Sequence, residues 1–254
     1  RQNNDYVVDN STMSVEQYYN RGIQKRDSED YYGAIEDYNA ALRIKPDYAN
    51  ALFQRAYAKA EQNDDYGAIA DLDKYIELYP DAASAYYNRG SSKDDLKDYK
   101  GAIADYTKAI ELDPNKTNAY YNRGYSKKNL KDNYGAIADY TKAIELDPDD
   151  ADAYNNRGFS KSDLEDYKGA IADFTKAIEI DPDYTGAYYN RGSSKDYLED
   201  YKGSIADYTK AIELDPDYTG AYYNRGNSKD YLKDYEGAIA DYTKAIELDP
   251  DYAD

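Results

Sequence analysis

Every proline in the chain falls at one spacing: Pro46, Pro80, Pro114, Pro148, Pro182, Pro216 and Pro250 follow each other at intervals of 34 residues. A single globular core gives each element its own sequence, so a fixed period of this length points to stacked repeats. Taking each proline as the thirty-second residue of its repeat divides the chain, without gaps, into 15–48, 49–82, 83–116, 117–150, 151–184, 185–218 and 219–252. Residues 1–14 are left as a polar leader and 253–254 as the start of a further repeat or cap. The glycines keep the register: seven stand at repeat position 19, from Gly33 to Gly237, and six at position 8, where repeat two has Ala56. The first residue is Arg1, not methionine, which suggests a processed form or an excerpt of a longer protein.

Within repeat three, Ala85, Tyr86, Arg89, Gly90 and Lys93 follow a helical spacing, and so do Ala102, Ile103, Tyr106, Ala109 and Ile110. Each repeat therefore reads as two amphipathic helices. Asp98 lies between them, and Asp30, Asp64, Asp132, Asp166, Asp200 and Asp234 repeat it, placed to cap the free amides opening the second helix. The proline then stops that helix. Gly90 and Ala102 form a small pair that would let the two axes approach.

Composition removes several function classes. With no histidine and no cysteine, the chain has no imidazole base, no Ser-His-Asp or Cys-His pair and no thiolate metal site. Neither GxGxxG, nor GxxxxGK with Ser or Thr, nor HExxH occurs. Acidic pairs are plentiful, but repetition argues against one unique acid–base pair. No enzyme activity and no cofactor are expected. The net charge of −19 would repel a phosphate backbone, so nucleic acid is not an expected partner. No apolar run approaches the ~20 residues that span a bilayer, so no membrane insertion is expected. The compartment stays open, and the sequons at Asn10 and Asn115 could carry glycan in a secreting host.

The repeated string AYYNRG followed by DYKGAIADYTKAIELDP resembles the tetratricopeptide repeat (TPR), with Gly at position 8, Ala at 20, an aromatic at 24, Ala at 27 and Pro at 32. The likeness covers residues 15–252. It implies an all-α, right-handed superhelical solenoid of seven helix-turn-helix units whose first helices line a concave binding groove. Two departures recur. Position 7 is Arg (Arg21, Arg55, Arg89, Arg123, Arg157, Arg191, Arg225) where the family usually has Leu, and position 11 is Lys where an aromatic is common. Position 23 offers each Arg a partner in Asp37, Asp71, Asp105, Asp139, Asp173, Asp207 or Asp241, which predicts an Arg–Asp ladder between the helices. The other reading is that both side chains snorkel to water.

By the same resemblance, groove side chains come mainly from positions 2, 5, 6, 9, 12 and 13. Position 6 is an amide throughout: Asn20, Gln54, Asn88, Asn122, Asn156, Asn190 and Asn224. Such a ladder could pair with the backbone of an extended peptide, or bond a neighbouring helix. Position 5 carries rings (Tyr19, Phe53, Tyr87, Tyr121, Tyr189 and Tyr223, with Asn155 the exception) that could floor the groove or pack between first helices. Position 9 varies most, with Tyr57, Tyr125 and Phe159 its aromatic members. Asp27, Glu61, Asp94, Asp95, Asp163, Asp196 and Asp230 at positions 12 and 13 make the groove net negative, with Arg26 and Lys128 as exceptions. A basic or neutral ligand is expected, not an acidic tail. Asp147, Asp149, Asp150 and Asp152 cluster at one turn, but a proline-containing turn has little room to wrap a calcium ion, and no metal is expected.

Repeats three to seven are nearly identical, while one and two are degenerate. No polar cap follows the last helix, which leaves Ile239, Tyr242 and Ile246 for water or for another molecule. Two functions follow. The first is a protein–protein interaction scaffold holding an extended peptide or partner protein. The alternative is a structural protein that assembles head to tail into a filament.

Overall fold

The protein is described by a computed structural model over residues 13–253. Most of the leader, the Asn10 sequon and Asp254 lie outside the described residues. Among the described residues fourteen α-helices follow one another as seven helix-turn-helix pairs, with no strand. They are α1 (Val15–Asp27) and α2 (Tyr31–Ile44), α3 (Ala49–Ala60) and α4 (Asp65–Leu78), and α5 (Ala83–Asp95) and α6 (Tyr99–Leu112). Then come α7 (Thr117–Asn129) and α8 (Asn133–Leu146), α9 (Ala151–Ser162) and α10 (Tyr167–Ile180), α11 (Thr185–Tyr197) and α12 (Tyr201–Leu214), and α13 (Thr219–Tyr231) and α14 (Tyr235–Leu248). A 3-10 turn, Pro250–Ala253, ends the description. The chain forms two compact units that divide between Pro114 and Asn115, the first holding α1–α6 and the second α7–α14.

The turn inside each repeat closes one helix and opens the next with the same residue. In repeat three the Asp98 N–H donates to the Lys93 carbonyl and the Lys97 N–H to the Asp94 carbonyl, each at 2.8 Å, a Schellman closure. The Asp98 carboxylate then accepts from the Gly101 N–H at 3.0 Å and caps α6. All seven second helices are capped in this way, as the sequence predicts. The closure requires a left-handed residue at position 15. Glu29, Asn63, Lys97, Lys131, Glu165, Glu199 and Lys233 fill it with φ of 59–65° and no glycine among them. Glycine is needed instead at position 19, because a Cβ on Gly101 would lie 2.2 Å from the capping carboxylate of Asp98. Each second helix ends at position 30, two residues before the proline.

Position 8 has a further neighbour beyond the small residue that the sequence suggests. A Cβ on Gly90 would meet the ring of Tyr106 at 2.8 Å, so the glycine makes room for the position-24 aromatic, with Ala102 fully buried as well. Tyr38, Tyr106, Tyr140, Phe174 and Tyr208 are at most 1% exposed and form the large part of the interior. Repeat two departs from this at both places at once, with Ala56 opposite the smaller Leu72, both buried.

Within each compact unit the second helix of a repeat packs on the first helix of the next. Successive first helices also approach one another (α1 with α3, α3 with α5, α7 with α9, α9 with α11, α11 with α13), whereas second helices have no comparable contact. The first helices therefore line the inner face of each unit. Gly90→Ala should lower stability to chemical denaturation by about 1–3 kcal/mol through overpacking against Tyr106, since the new Cβ would lie 2.8 Å from the ring. Adding Tyr106→Leu, which recreates the Ala56–Leu72 pair, should recover most of that loss. A double variant no better than the sum of its parts would show that ring and glycine are not coupled.

Candidate functional site

The inner face is positioned by a charged clamp in every repeat. Arg Nη2 at position 7 lies 2.5–2.7 Å from one oxygen of the position-23 Asp, and Nε lies 2.8–2.9 Å from the other. The ladder forms in all seven repeats, and its carboxylates are only 2–4% exposed. Sequence reasoning missed the third member. Lys25, Lys59, Lys93, Lys127, Lys161, Lys195 and Lys229 at position 11 bring an ammonium to within 2.7–3.0 Å of the same carboxylates. Burial alone would raise the Asp37 carboxyl, but hydrogen bonds from Arg21 and Lys25 outweigh it and hold the group below its ordinary value.

The same arginines tie neighbouring repeats together. Nη1 of Arg55 reaches Asn39, that of Arg89 reaches Asp73, and those of Arg157, Arg191 and Arg225 reach Thr141, Thr175 and Thr209, at 2.6–3.2 Å. In the repeats with tyrosine at position 4 the guanidinium also lies over that ring, as Arg89 does over Tyr86 at 5.4 Å.

With the first helices fixed, positions 5 and 6 become wall. The position-5 rings pack on the buried position-24 rings, Tyr87 on Tyr106 at 5.8 Å and Tyr121 on Tyr140 at 5.6 Å. Asn156 Nδ2 donates to the Tyr121 hydroxyl at 2.7 Å, Asn224 Nδ2 to that of Tyr189 at 2.9 Å, and Asn190 Nδ2 to Asn155 Oδ1 at 3.2 Å. Gln54 accepts from Arg26. Asn20 at the first repeat is exposed.

What stays open is the space between adjacent first helices, where positions 9, 12 and 13 meet. Tyr57, Glu61, Tyr87, Asn88 and Asp95 share a cleft between α3 and α5. Phe159, Asp163, Tyr189, Asn190 and Tyr197 share one of about 370 Å³ between α9 and α11. Asp196, Tyr201, Asn224 and Tyr231 line a third, of about 360 Å³, between α11 and α13. The last two have a ring stack as one side: Tyr167 on Tyr197 and Tyr201 on Tyr231, both with centroids 4.6 Å apart and planes within 9°. No Lys or Arg lines any of the three. Tyr57, Tyr125, Phe159 and Tyr223 are exposed. Asp196 is partly committed, accepting from the Tyr208 hydroxyl and from Ser228 Oγ, each at 2.7 Å.

Three carboxylates of the aspartate cluster at the fourth turn have separate partners, Asp147 accepting from the Asp149 N–H at 3.2 Å. Asp150 caps α9 through the Ala153 N–H, and Asp152 accepts from the Tyr184 hydroxyl at 2.6 Å. At the far end Ile239 and Ile246 are 64% and 48% exposed, whereas Ile205 and Ile212 one repeat earlier are half-buried. Tyr242 is half-buried, and its hydroxyl donates to Asn227 Oδ1 at 2.8 Å.

Models described as tetratricopeptide repeat match residues 50–82, 83–116, 151–184 and 220–252, and one described as TPR repeat matches 129–163 and 197–229. The chain belongs to the tetratricopeptide repeat family. No curated protein matches it in sequence. Among solved structures, MamA protein is 26% identical over 67% of this chain and 93% of its own, with a TM-score of 0.63. YrrB, a TPR protein with an unusual peptide-binding site, is 26% identical over 72% of this chain and 94% of its own, with a TM-score of 0.63. The C-terminal part of a TPR repeat-containing protein from Cytophaga hutchinsonii is 20% identical over 91% of this chain and 95% of its own, at TM-score 0.76, and shares the fold.

This tetratricopeptide repeat protein replaces apolar interior with tyrosine, and that sets its response to alkali. Burial pushes the phenols of Tyr38 and Tyr121 up to about 12, and that of Tyr208 still higher. A raised pKa means the folded state favours the neutral phenol, so the stabilisation is full below about pH 10, where an unfolded tyrosine titrates, and disappears as pH rises toward 12. Tyrosinate absorbance should rise in two phases, the first from exposed rings with helicity retained, the second together with loss of helical circular dichroism. A single phase near pH 10 with helicity intact would contradict the burial.

Proposed function

We propose that the protein is a non-catalytic interaction scaffold that holds an extended basic or neutral peptide, or such a segment of a partner protein, along the face lined by its first helices. One observation carries this reading: three clefts between neighbouring first helices combine rings with carboxylates and contain no basic side chain. Tyr57, Tyr125 and Phe159 would supply contact surface. Asn20, Gln54, Asn88, Asn122, Asn156, Asn190 and Asn224, with Tyr87, Tyr121, Tyr189 and Tyr223, would shape and wall the site. Burial of aromatic area provides affinity, and the acidic rim excludes acidic sequences. YrrB, which is similar in fold, has a peptide-binding site, and that supports a peptide as the class of ligand.

The test is an array of extended peptides of varied charge, followed by calorimetry on the binders. Basic and neutral peptides should bind and acidic ones should not, and Phe159→Ala should weaken binding about tenfold. Preferential capture of acidic peptides, or binding indifferent to Phe159, would overturn the reading.

A second reading has its own observation, the exposure of Ile239 and Ile246 on α14. These side chains, with Tyr242, would dock on the first helix of another copy and propagate head to tail. Light scattering should then show mass growing with concentration and Ile246→Asp abolishing the growth. A monomer at every concentration would remove this reading and leave the scaffold standing.

A further inference from the structure

Between two pairs of neighbouring first helices the chain itself supplies a cation. At position 12 of the fourth repeat, Lys128 extends across to the fifth, where its Nζ sits 3.6 Å from the centroid of the Phe159 ring. The ammonium is half-buried, and the attraction of Asp163 opposes the effect of that burial on its charge. At position 12 of the first repeat, Arg26 extends to the second, where Nη1 donates to Gln54, and it also pairs with Asp27. The next repeat thus offers a polar or aromatic surface, and a position-12 cation from the preceding repeat fills the space beside it.

The remaining clefts within the two compact units lack that cation. Position 12 is Ala60 in the second repeat, Ser162 in the fifth and Asp196 in the sixth. These are the repeats whose clefts stand open. Their linings keep the surroundings that suit an ammonium or guanidinium: Glu61 and Asp95 with Tyr57 in one, Asp163 and Glu165 with Tyr197 in another, Asp196 with the Tyr201–Tyr231 stack in the third.

We infer that each open cleft takes one lysine or arginine side chain of a bound peptide in the place that Lys128 and Arg26 occupy in theirs. The inference rests on the scaffold reading and adds to it a register: the fourth and first repeats are self-occupied, and the open clefts of the fifth and sixth stand side by side. An ammonium on an aromatic face is attracted by the negative face of the ring, the more so as the site loses water, and a facing carboxylate adds to that. Basic side chains in adjacent clefts would then act in concert through one backbone.

The test uses the full chain and two blocked peptides, one alternating lysine with serine and one alternating glutamine with serine, in calorimetry at physiological salt. The lysine peptide should bind about tenfold or more tightly than the glutamine peptide. Ser162→Lys, at the C-terminal end of α9 where a cation suits the helix, should plug one cleft and weaken the lysine peptide about tenfold. Ala172→Lys, an exposed site on α10, adds the same charge and should leave affinity within about twofold. Lys128→Ala should open a further cleft and tighten binding. Equal affinity for the two peptides, or equal losses in Ser162→Lys and Ala172→Lys, would overturn the cation register while leaving groove binding intact. Failure of every peptide, charged or neutral, would remove the scaffold reading and this inference together.

Discussion

A carboxylate buried at the same place in every repeat organises this protein. The position-23 Asp receives two nitrogens of an arginine and the ammonium of a lysine, all from the first helix of its own repeat. A fork against a planar acceptor fixes rotation and translation of one helix on the other, which apolar side chains at the same site would not do. In repeats two, three, five, six and seven the remaining arginine nitrogen reaches back one repeat, and in several repeats the lysine also donates to the position-19 carbonyl in the first turn of the second helix, as Lys59 does to Gly67 at 3.1 Å. One anion therefore sets the pairing of helices, helps hold the turn and, through its arginine, the stacking of repeats.

That arrangement also explains where free charge is found. The clamp consumes a lysine and an arginine per repeat on the inside of the fold, so few basic groups remain for the inner face. Of the position-12 side chains discussed, only Arg26 and Lys128 are basic, and both are occupied within the chain. The open clefts are left with rings and carboxylates. The structural use of cations and the expected preference for a basic ligand thus have one origin in the sequence.

Much of the fold was legible because period and residue type agreed. Proline spacing gave the repeats, Asp at position 16 the caps, and the paired Arg and Asp the ladder. Lys at position 11 was visible only as a departure from the family pattern, since the spacing to position 23 does not reveal that two cations converge on one carboxylate. The left-handed residue at position 15 left no trace because Glu, Lys and Asn fill it, held there by the Schellman bonds. Gly90 and Ala102 read as a pair because both are small, but spacing does not reveal that the Tyr106 ring folds back over the glycine. Near-identical repeats also gave no sign that the chain divides between Pro114 and Asn115. For the site, the helical face was readable but the reach of each side chain was not. Several side chains at positions 5 and 6 bond or pack on neighbouring groups of the fold, and Tyr197 and Tyr231 at position 13 stack on Tyr167 and Tyr201, a pairing that the charges at positions 12 and 13 do not reveal.

The most direct measurement of the clamp's role is a double-mutant cycle on Arg157 and Asp173, followed by denaturant unfolding. Asp173→Leu strands both Arg157 and Lys161 without their carboxylate and should cost about 3 kcal/mol, whereas Arg157→Leu leaves Asp173 paired with Lys161 and should cost less. The double apolar variant should be markedly more stable than the sum of the two losses predicts, with a coupling above about 2 kcal/mol. Two small, additive losses would contradict the account, because the helices would then be held by tyrosine and alanine packing with the charges as passengers.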